Sequence, residues 1–221
     1  MNRSELKSRA RELIKGNIWY LWKPMVIIGL AIAVIEGIAF GLDNAFGFAE
    51  IETVEVLGVE TTQYSAGIIS TIVGILTGIA SMALAVAHTK YVLSFIRGTK
   101  LELKDVLDFM KKHWLITFLV GLLVGLIICG CSILLVIPGI IAAIGLMYYQ
   151  EVCADNPEMK AMDIVRKSWD MTKGHKMDLF VLGLSFIGWA MLATLTFGIL
   201  YIWLVPYVSV TFMLFYEQIK N

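Results

Sequence analysis

Long apolar runs alternate with short charged segments along the whole chain. Met25 to Leu42, Ala66 to Ala87, Leu115 to Leu135, Ile140 to Cys153, Leu179 to Phe197 and Leu200 to Tyr216 are almost free of ionisable side chains. A bilayer hydrocarbon core is about 30 Å thick and takes about 20 apolar residues in a helix. The pattern therefore predicts six transmembrane helices. The fourth is short, and at 1.5 Å per residue it is marginal for a full crossing.

The segments before the odd-numbered runs have a different period. In Ser4 to Lys15, Leu6, Ala10, Leu13 and Ile14 fall on one helical face, with Arg9, Arg11 and Lys15 around the rest. In Arg97 to Trp114, Leu103, Val106, Leu107, Met110 and Trp114 share a face, and Thr99 with Glu102 suits a capping box. After Asn156-Pro157, which reads as a helix cap and first turn, Met162, Val165 and Trp169 line a third face. Each of these amphipathic helices ends in a similar tripeptide: Lys15-Gly16-Asn17, Lys111-Lys112-His113 and Lys173-Gly174-His175. The expected fold is all-α: a polytopic membrane protein with six transmembrane helices as three hairpins, each preceded by a cytoplasmic interfacial amphipathic helix. It forms one integral membrane domain over 1–221, with possible repeats over 1–87, 97–153 and 156–217. Such resemblance also arises by convergence, because interfacial helices tend to end in lysine, glycine and aromatic residues.

Charge sets the orientation. Of 18 Lys and Arg residues, six lie before Met25, six between Lys90 and Lys112, five between Lys160 and Lys176, and the last is Lys220. None lies in the loops after the first, third and fifth runs. By the positive-inside rule, both termini are expected in the cytoplasm. The loop from Asp43 to Ser65 is acidic, and a short β-hairpin turning near Gly58 is expected there. The region before the first run is mixed in charge and amphipathic, unlike a signal peptide, although Ala45-Phe46-Gly47 imitates a cleavage site.

Composition agrees with the pattern. The chain of 221 residues is 58% hydrophobic and 16% charged, with a mean hydropathy of +0.78, against about 25% charged in soluble domains. The formal net charge of zero gives no reason to expect a nucleic-acid partner. Cys129, Cys131 and Cys153 lie in or beside apolar runs and read as packing residues rather than a disulfide framework.

Several residues are candidates for function. Glu36 is the one acid deep in the first run, and an ionisable group there is a functional hypothesis by default. It lies about twelve residues past Pro24, roughly 18 Å along the helix, where polar packing or outside water is the simpler explanation. Lys15, Lys111, Lys112, Lys173, His175 and Lys176 are candidates for binding anionic headgroups, against plain topological anchoring. Gly29, Ala33 and Gly37, then Gly74 and Gly78, then Gly121 and Gly125 recur at four-residue spacing, as at close helix contacts in membranes. Ile137-Pro138-Gly139 reads as a tight break, and Pro206 as a kink in the sixth run. Trp189, Trp203 and Tyr207 read as packing and interfacial residues, and Glu217 as the partner of a basic residue at the cytoplasmic face. His88, His113 and His175 lack ligand spacing, so no metal or other cofactor is expected. Phosphate-loop, zinc-protease and serine-hydrolase motifs do not occur.

Ile137 to Glu217 resembles the domain of unknown function 975 family, uncharacterised bacterial integral membrane proteins. The resemblance rests on IPGII (Ile137 to Ile141), ADNP (Ala154 to Pro157), SWDMTKGHKMDLF (Ser168 to Phe180), LSFIGW (Leu184 to Trp189), LTFGI (Leu195 to Ile199), WLVPY (Trp203 to Tyr207) and FYE (Phe215 to Glu217). Leu6 to Trp22 is similar too. The resemblance implies a helical protein of the bacterial plasma membrane and no particular activity. Three functions follow as expectations: a non-enzymatic accessory or structural component contacting lipids or other membrane proteins; a small transporter or exporter subunit with a pathway near Glu36; and, last, an intramembrane enzyme.

Overall fold

The computed structural model describes residues 3–48, 51–56, 59–64 and 66–220, excepting the side chains of 51–64 and Leu134. The helices are α1 (Arg3–Ile14), α2 (Ile18–Phe46), α3 (Ile68–Ile96), α4 (Leu103–Leu134), α5 (Val136–Gly145), α6 (Tyr149–Asp155), α7 (Ala161–Met171), α8 (Lys176–Leu184), α9 (Ile187–Leu195) and α10 (Tyr201–Ile219). Two short antiparallel strands, β1 (Ile51–Val56) and β2 (Val59–Tyr64), lie between α2 and α3. Val56 pairs with Val59, so the expected hairpin forms. Its turn near Gly58 lies outside the described residues, as does Glu50.

Among the described residues, six helical stretches are long and apolar enough to cross a membrane: Ile18–Phe46, Ile68–Ile96, Leu103–Ile133, Val136–Asp155, Lys176–Leu195 and Tyr201–Ile219. The fourth is broken between α5 and α6, and the fifth between α8 and α9. The chain divides into two compact units, Pro24–Ser81 and the remainder.

In the Pro24–Ser81 unit, α2 and α3 are tied by polar side chains. The Asp43 carboxylate accepts the backbone N–H groups of Ile69 at 3.0 Å and Ser70 at 2.6 Å. It thus satisfies amides at the start of α3 that have no partner within the helix. Asp43 is fully buried there, and a Cβ on Gly67 would collide with its carboxyl group. Glycine is the residue that lets the two ends approach.

In the larger unit, α1 packs on α10, α4 on α5, and α7 on α4 and α6. The buried face of α1 is Leu6, Ala10 and Ile14, as its spacing predicts, but it is covered by the protein's own α10. Arg3 pairs with Asp178 at 2.8 Å, the Lys7 ammonium lies 4.4 Å from the Phe186 ring centroid, and Arg11 donates to the Tyr207 hydroxyl at 3.2 Å. Burial, and then the nearby Arg11 charge, lower the Lys7 pKa.

Glycine decides where the amphipathic segments end. Gly16 and Gly174 have φ of 78° and 79°, the left-handed conformation that closes a helix and suits glycine best. Each lies between two separate helices. The middle copy has Lys112 instead, and the helix runs on: α4 includes both the amphipathic segment and the third span, with a local deviation at His113 (φ −119°, ψ 15°). The expected separate surface helix is therefore one arm of a long kinked helix. Its inward residues are Val106 and Phe109, whereas Leu107 and Trp114 are exposed. Its cap is Glu102, with Asp105 accepting the Glu102 N–H at 2.8 Å, so the capping box sits three residues beyond the expected Thr99–Glu102 pair.

The expected break at Ile137-Pro138-Gly139 also moves. The chain breaks at Leu135 alone (φ −161°, ψ 145°), and Pro138 sits in the first turn of α5. Proline is tolerated there because its missing N–H would have no acceptor within the helix. A Cβ on Gly139 would collide with Ser132, so glycine permits the tight return of α5 along α4.

Candidate functional site

A polar cluster in the larger unit gathers the ends of three helices. Arg97, just past α3, donates to both oxygens of Asp155 at 2.8 and 2.7 Å. The same guanidinium donates to Glu217 Oε1 through Nη2 at 2.6 Å and Nε at 3.1 Å. Tyr216 donates its hydroxyl to Asp155 Oδ2 at 3.0 Å, and Lys220 reaches Asp155 at 3.2 Å and Glu217 at 3.5 Å. Asp155 ends α6, and Glu217 stands in the last turn of α10.

Local sequence explains how Arg97 is presented. Gly98 has φ of 85°, and the Thr99 and Gly98 N–H groups donate back to Ser94 and Phe95 carbonyls at 2.8 and 3.0 Å. This double closure ends α3 and fixes the direction of Arg97. The planar guanidinium matches two carboxylates with several donors. Bonding to Asp155 first, and then to Glu217, raises the Arg97 pKa further above its ordinary value. The partner expected for Glu217 is thus found, as Arg97 with Lys220.

One turn before Asp155, Glu151 is 8% exposed, and its Oε2 has no hydrogen-bond partner among the described residues. Tyr148, one turn earlier again, donates to the Phe212 carbonyl at 3.0 Å, and its ring lies 5.5 Å from that of Tyr216. Sequence reading missed Arg97, Glu151 and Asp155 as a group. Their spacing along one helix made Glu151 and Asp155 visible as an i, i+4 pair, but nothing local links them to residues 97 and 217.

Glu36 has a partner inside its own unit: Thr77 donates to its Oε1 at 2.6 Å. Thr77 is buried, whereas Glu36 is exposed. Among the headgroup candidates, Lys112 pairs with Glu158 at 3.7 Å and Lys173 with Asp170 at 2.7 Å. His175 lies 3.9 Å from Asp178, and Lys176 stands 3.4 Å from the Trp169 ring centroid. Lys15 and Lys111 are exposed, with no ion pair among the described residues. An added Cβ would meet nothing within 4 Å at Gly29, Gly37, Gly74, Gly78 or Gly125, while at Gly121 it would meet Met82 Sδ at 3.5 Å. Ala33 is exposed. Of these glycines, Gly121 alone has another helix, α3 through Met82, at contact distance among the described residues.

α10 continues through Pro206. Proline removes the N–H that would bond the carbonyl four residues back, at Ile202. The Trp22 indole N–H donates to that Ile202 carbonyl at 2.8 Å, so another helix supplies the missing donor, as membrane helices require.

Comparison with known proteins bears on this same region. Residues 126–221 match the family model described as Protein of unknown function (DUF975). The resemblance carried by Ile137 to Glu217 lies inside the matched residues, and so do Asp155, Tyr216, Glu217 and Lys220. The similar stretch Leu6 to Trp22, and Arg97 itself, lie outside them. No curated protein and no solved structure matches the chain.

Proposed function

We propose that this multi-pass membrane protein is a non-enzymatic accessory or structural component of the bacterial plasma membrane. Its six crossings form three hairpins with both termini in the cytoplasm. It works through contacts with lipids and neighbouring membrane proteins, with no nucleic-acid partner and no cofactor. The observation that carries this reading is the use of its charges. Arg97, Asp155, Glu217 and Lys220 bond to one another at the ends of three helices, an arrangement that fastens a bundle. The outward surface is correspondingly apolar: Ile133, Ile137, Leu195, Phe197 and Ile199 are each more than 70% exposed, a surface suited to hydrocarbon. The confinement of all 18 basic residues to alternate segments supports the orientation.

Copurification of the full chain from native membranes, with lipids and proteins both identified, tests the role. Enrichment of one lipid class or of a recurrent membrane protein is expected. Recovery of bulk lipid alone, without a partner, overturns it. Orientation is tested separately with Lys104→Cys and Lys160→Cys in a background lacking Cys129, Cys131 and Cys153. An impermeant thiol reagent should label both only after lysis, and labelling of intact cells rejects the topology.

A transporter subunit is the second reading, favoured by one observation: Glu36 is an exposed acid within the otherwise apolar run from Met25 to Leu42. Loss of solute flux in Glu36→Gln, with folding intact, would favour this reading over the first.

A further inference from the structure

We propose that a lysine-rimmed cavity between the start of α2, the end of α3 and the start of α4 is a phosphate-binding site that accepts an anionic phospholipid headgroup. The cavity holds about 440 Å³ and is lined by Tyr20, Lys23, Tyr91, Lys100 and the stretch Leu101 to Lys104. That volume lies within the range of small-molecule sites, about 300–1,000 Å³. The inference rests on the reading of the protein as one that works through lipid contacts, and it names the place and the chemistry.

The floor is rigid. The Tyr20 ring stacks on Tyr91 with centroids 4.5 Å apart, and Tyr91 is fully buried. The Tyr20 hydroxyl donates to the Leu101 carbonyl at 3.0 Å, which ties the α3–α4 connection to α2. The rim is cationic. Lys23, Lys100 and Lys104 make no hydrogen bond or ion pair among the described residues, and Lys100 stands 5.7 Å from the Tyr20 ring centroid. Elsewhere Lys112, Lys173 and Lys220 each have a carboxylate within 4 Å. The lining acid, Glu102, is engaged in the reciprocal capping box with Asp105. Three ammonium groups without an ion pair line one cavity against a single carboxylate, Glu102, so an anion bound there would meet several opposite charges at once.

Position selects the occupant. Lys23 immediately precedes Pro24 and the first apolar run, so the rim sits where headgroups meet water. A phosphate offers several oxygens to flexible point charges such as lysine. Near an anionic surface each basic residue contributes about fivefold in affinity.

Purified full-length protein in neutral detergent is mixed with phosphatidylglycerol or phosphatidylcholine, and retained lipid is scored by native mass spectrometry. The triple variant Lys23→Gln/Lys100→Gln/Lys104→Gln should lose phosphatidylglycerol by about a hundredfold. The single variant Lys100→Gln should lose about fivefold, and phosphatidylcholine should be unaffected. A control triple of exposed basic residues outside the cavity and the earlier headgroup candidates, Lys160→Gln/Arg166→Gln/Lys167→Gln, should change retention far less. Equal losses in the two triples overturn the site but leave the lipid reading standing. No loss in either overturns both. Inorganic phosphate is the second arm: lysine-dependent displacement of the lipid by phosphate keeps the site and shows that it also takes free phosphate. Failure to displace assigns the site to the lipid.

Discussion

The two units hold themselves together by opposite means. The larger unit buries its own core: Tyr91, Leu93, Tyr148, Ile164, Leu182, Tyr207, Phe215 and Tyr216 are each at most 1% exposed. In the Pro24–Ser81 unit the apolar side chains Leu30, Val34, Ile38, Ile72, Ile75 and Leu76 are each more than half exposed. What ties its helices together is polar, Asp43 at the start of α3 and Thr77 on Glu36. Apolar burial drives folding in water, but between helices in lipid that force is absent, because the solvent is as apolar as the side chains. A helical hairpin with little internal core thus needs hydrogen bonds, close approach or a neighbour. The larger unit adds its Arg97 cluster to a core that already packs.

Removing Arg97 should have the largest effect. Arg97→Ala leaves Asp155 and Glu217 facing each other with Lys220 as the remaining cation. Breaking a buried pair costs about 3–5 kcal/mol. Here the Arg97 side chain is 35% exposed, so a loss of about 2 kcal/mol is expected after solvent screening. It should appear as a lower unfolding temperature in detergent. Arg97→Lys should restore only part of it, since one ammonium cannot reproduce the two parallel bonds to Asp155. Full restoration by lysine would show that charge alone matters at this junction.

Asp43→Ala is the matching experiment in the smaller unit, with an expected loss of about 1–2 kcal/mol, typical of a helix cap. Hydrogen exchange should quicken at the Ile69 and Ser70 amides while amides of α6 and α10 stay protected. Spread of the effect to the larger unit would erase the contrast between the two. Gly67→Ala should produce the same local opening, because its Cβ would displace the Asp43 carboxyl group.

How much of this was legible in the sequence follows from distance along the chain. Helices and their apolar faces depend on residues three and four apart, so six long apolar stretches and the buried face Leu6, Ala10 and Ile14 can be read directly. Turns depend on a few neighbours, so Gly16 and Gly174 mark helix ends, and Lys112 in the third copy accounts for the uninterrupted α4. Asp43 capping α3 lies 26 residues from Ile69, and Arg97 lies 120 residues from Glu217. Neither pairing has a local signature. The basic candidates illustrate the same limit: Lys173 and Lys176 stand out by clustering, yet a carboxylate and an indole ring engage them. The unpaired Lys23, Lys100 and Lys104 converge only through the fold.

Trp22 offers a sharper probe of the larger unit. Trp22→Phe removes the donor to the Ile202 carbonyl and should cost about 1 kcal/mol, the usual net value of one hydrogen bond. Pro206→Ala restores a backbone N–H able to reach that carbonyl, so the double variant should lose less than the sum of the single ones. Strict additivity would mean that the indole bond contributes nothing at this proline.

The smallest effect is expected at Thr77. Thr77→Val keeps the shape of the side chain but removes the hydroxyl that donates to Glu36 Oε1. Glu36 is exposed, so in water its carboxylate would find other partners and the loss should fall below about 1 kcal/mol. In a bilayer the alternative partner is scarce, and the same substitution should cost more. Comparing Thr77→Val with wild type in detergent and in lipid nanodiscs therefore reads the environment of Glu36 directly. Equal losses in both media would mean that water reaches Glu36 within the membrane. A larger loss in lipid would mean that Thr77 is what keeps an acid tolerable on an apolar helix.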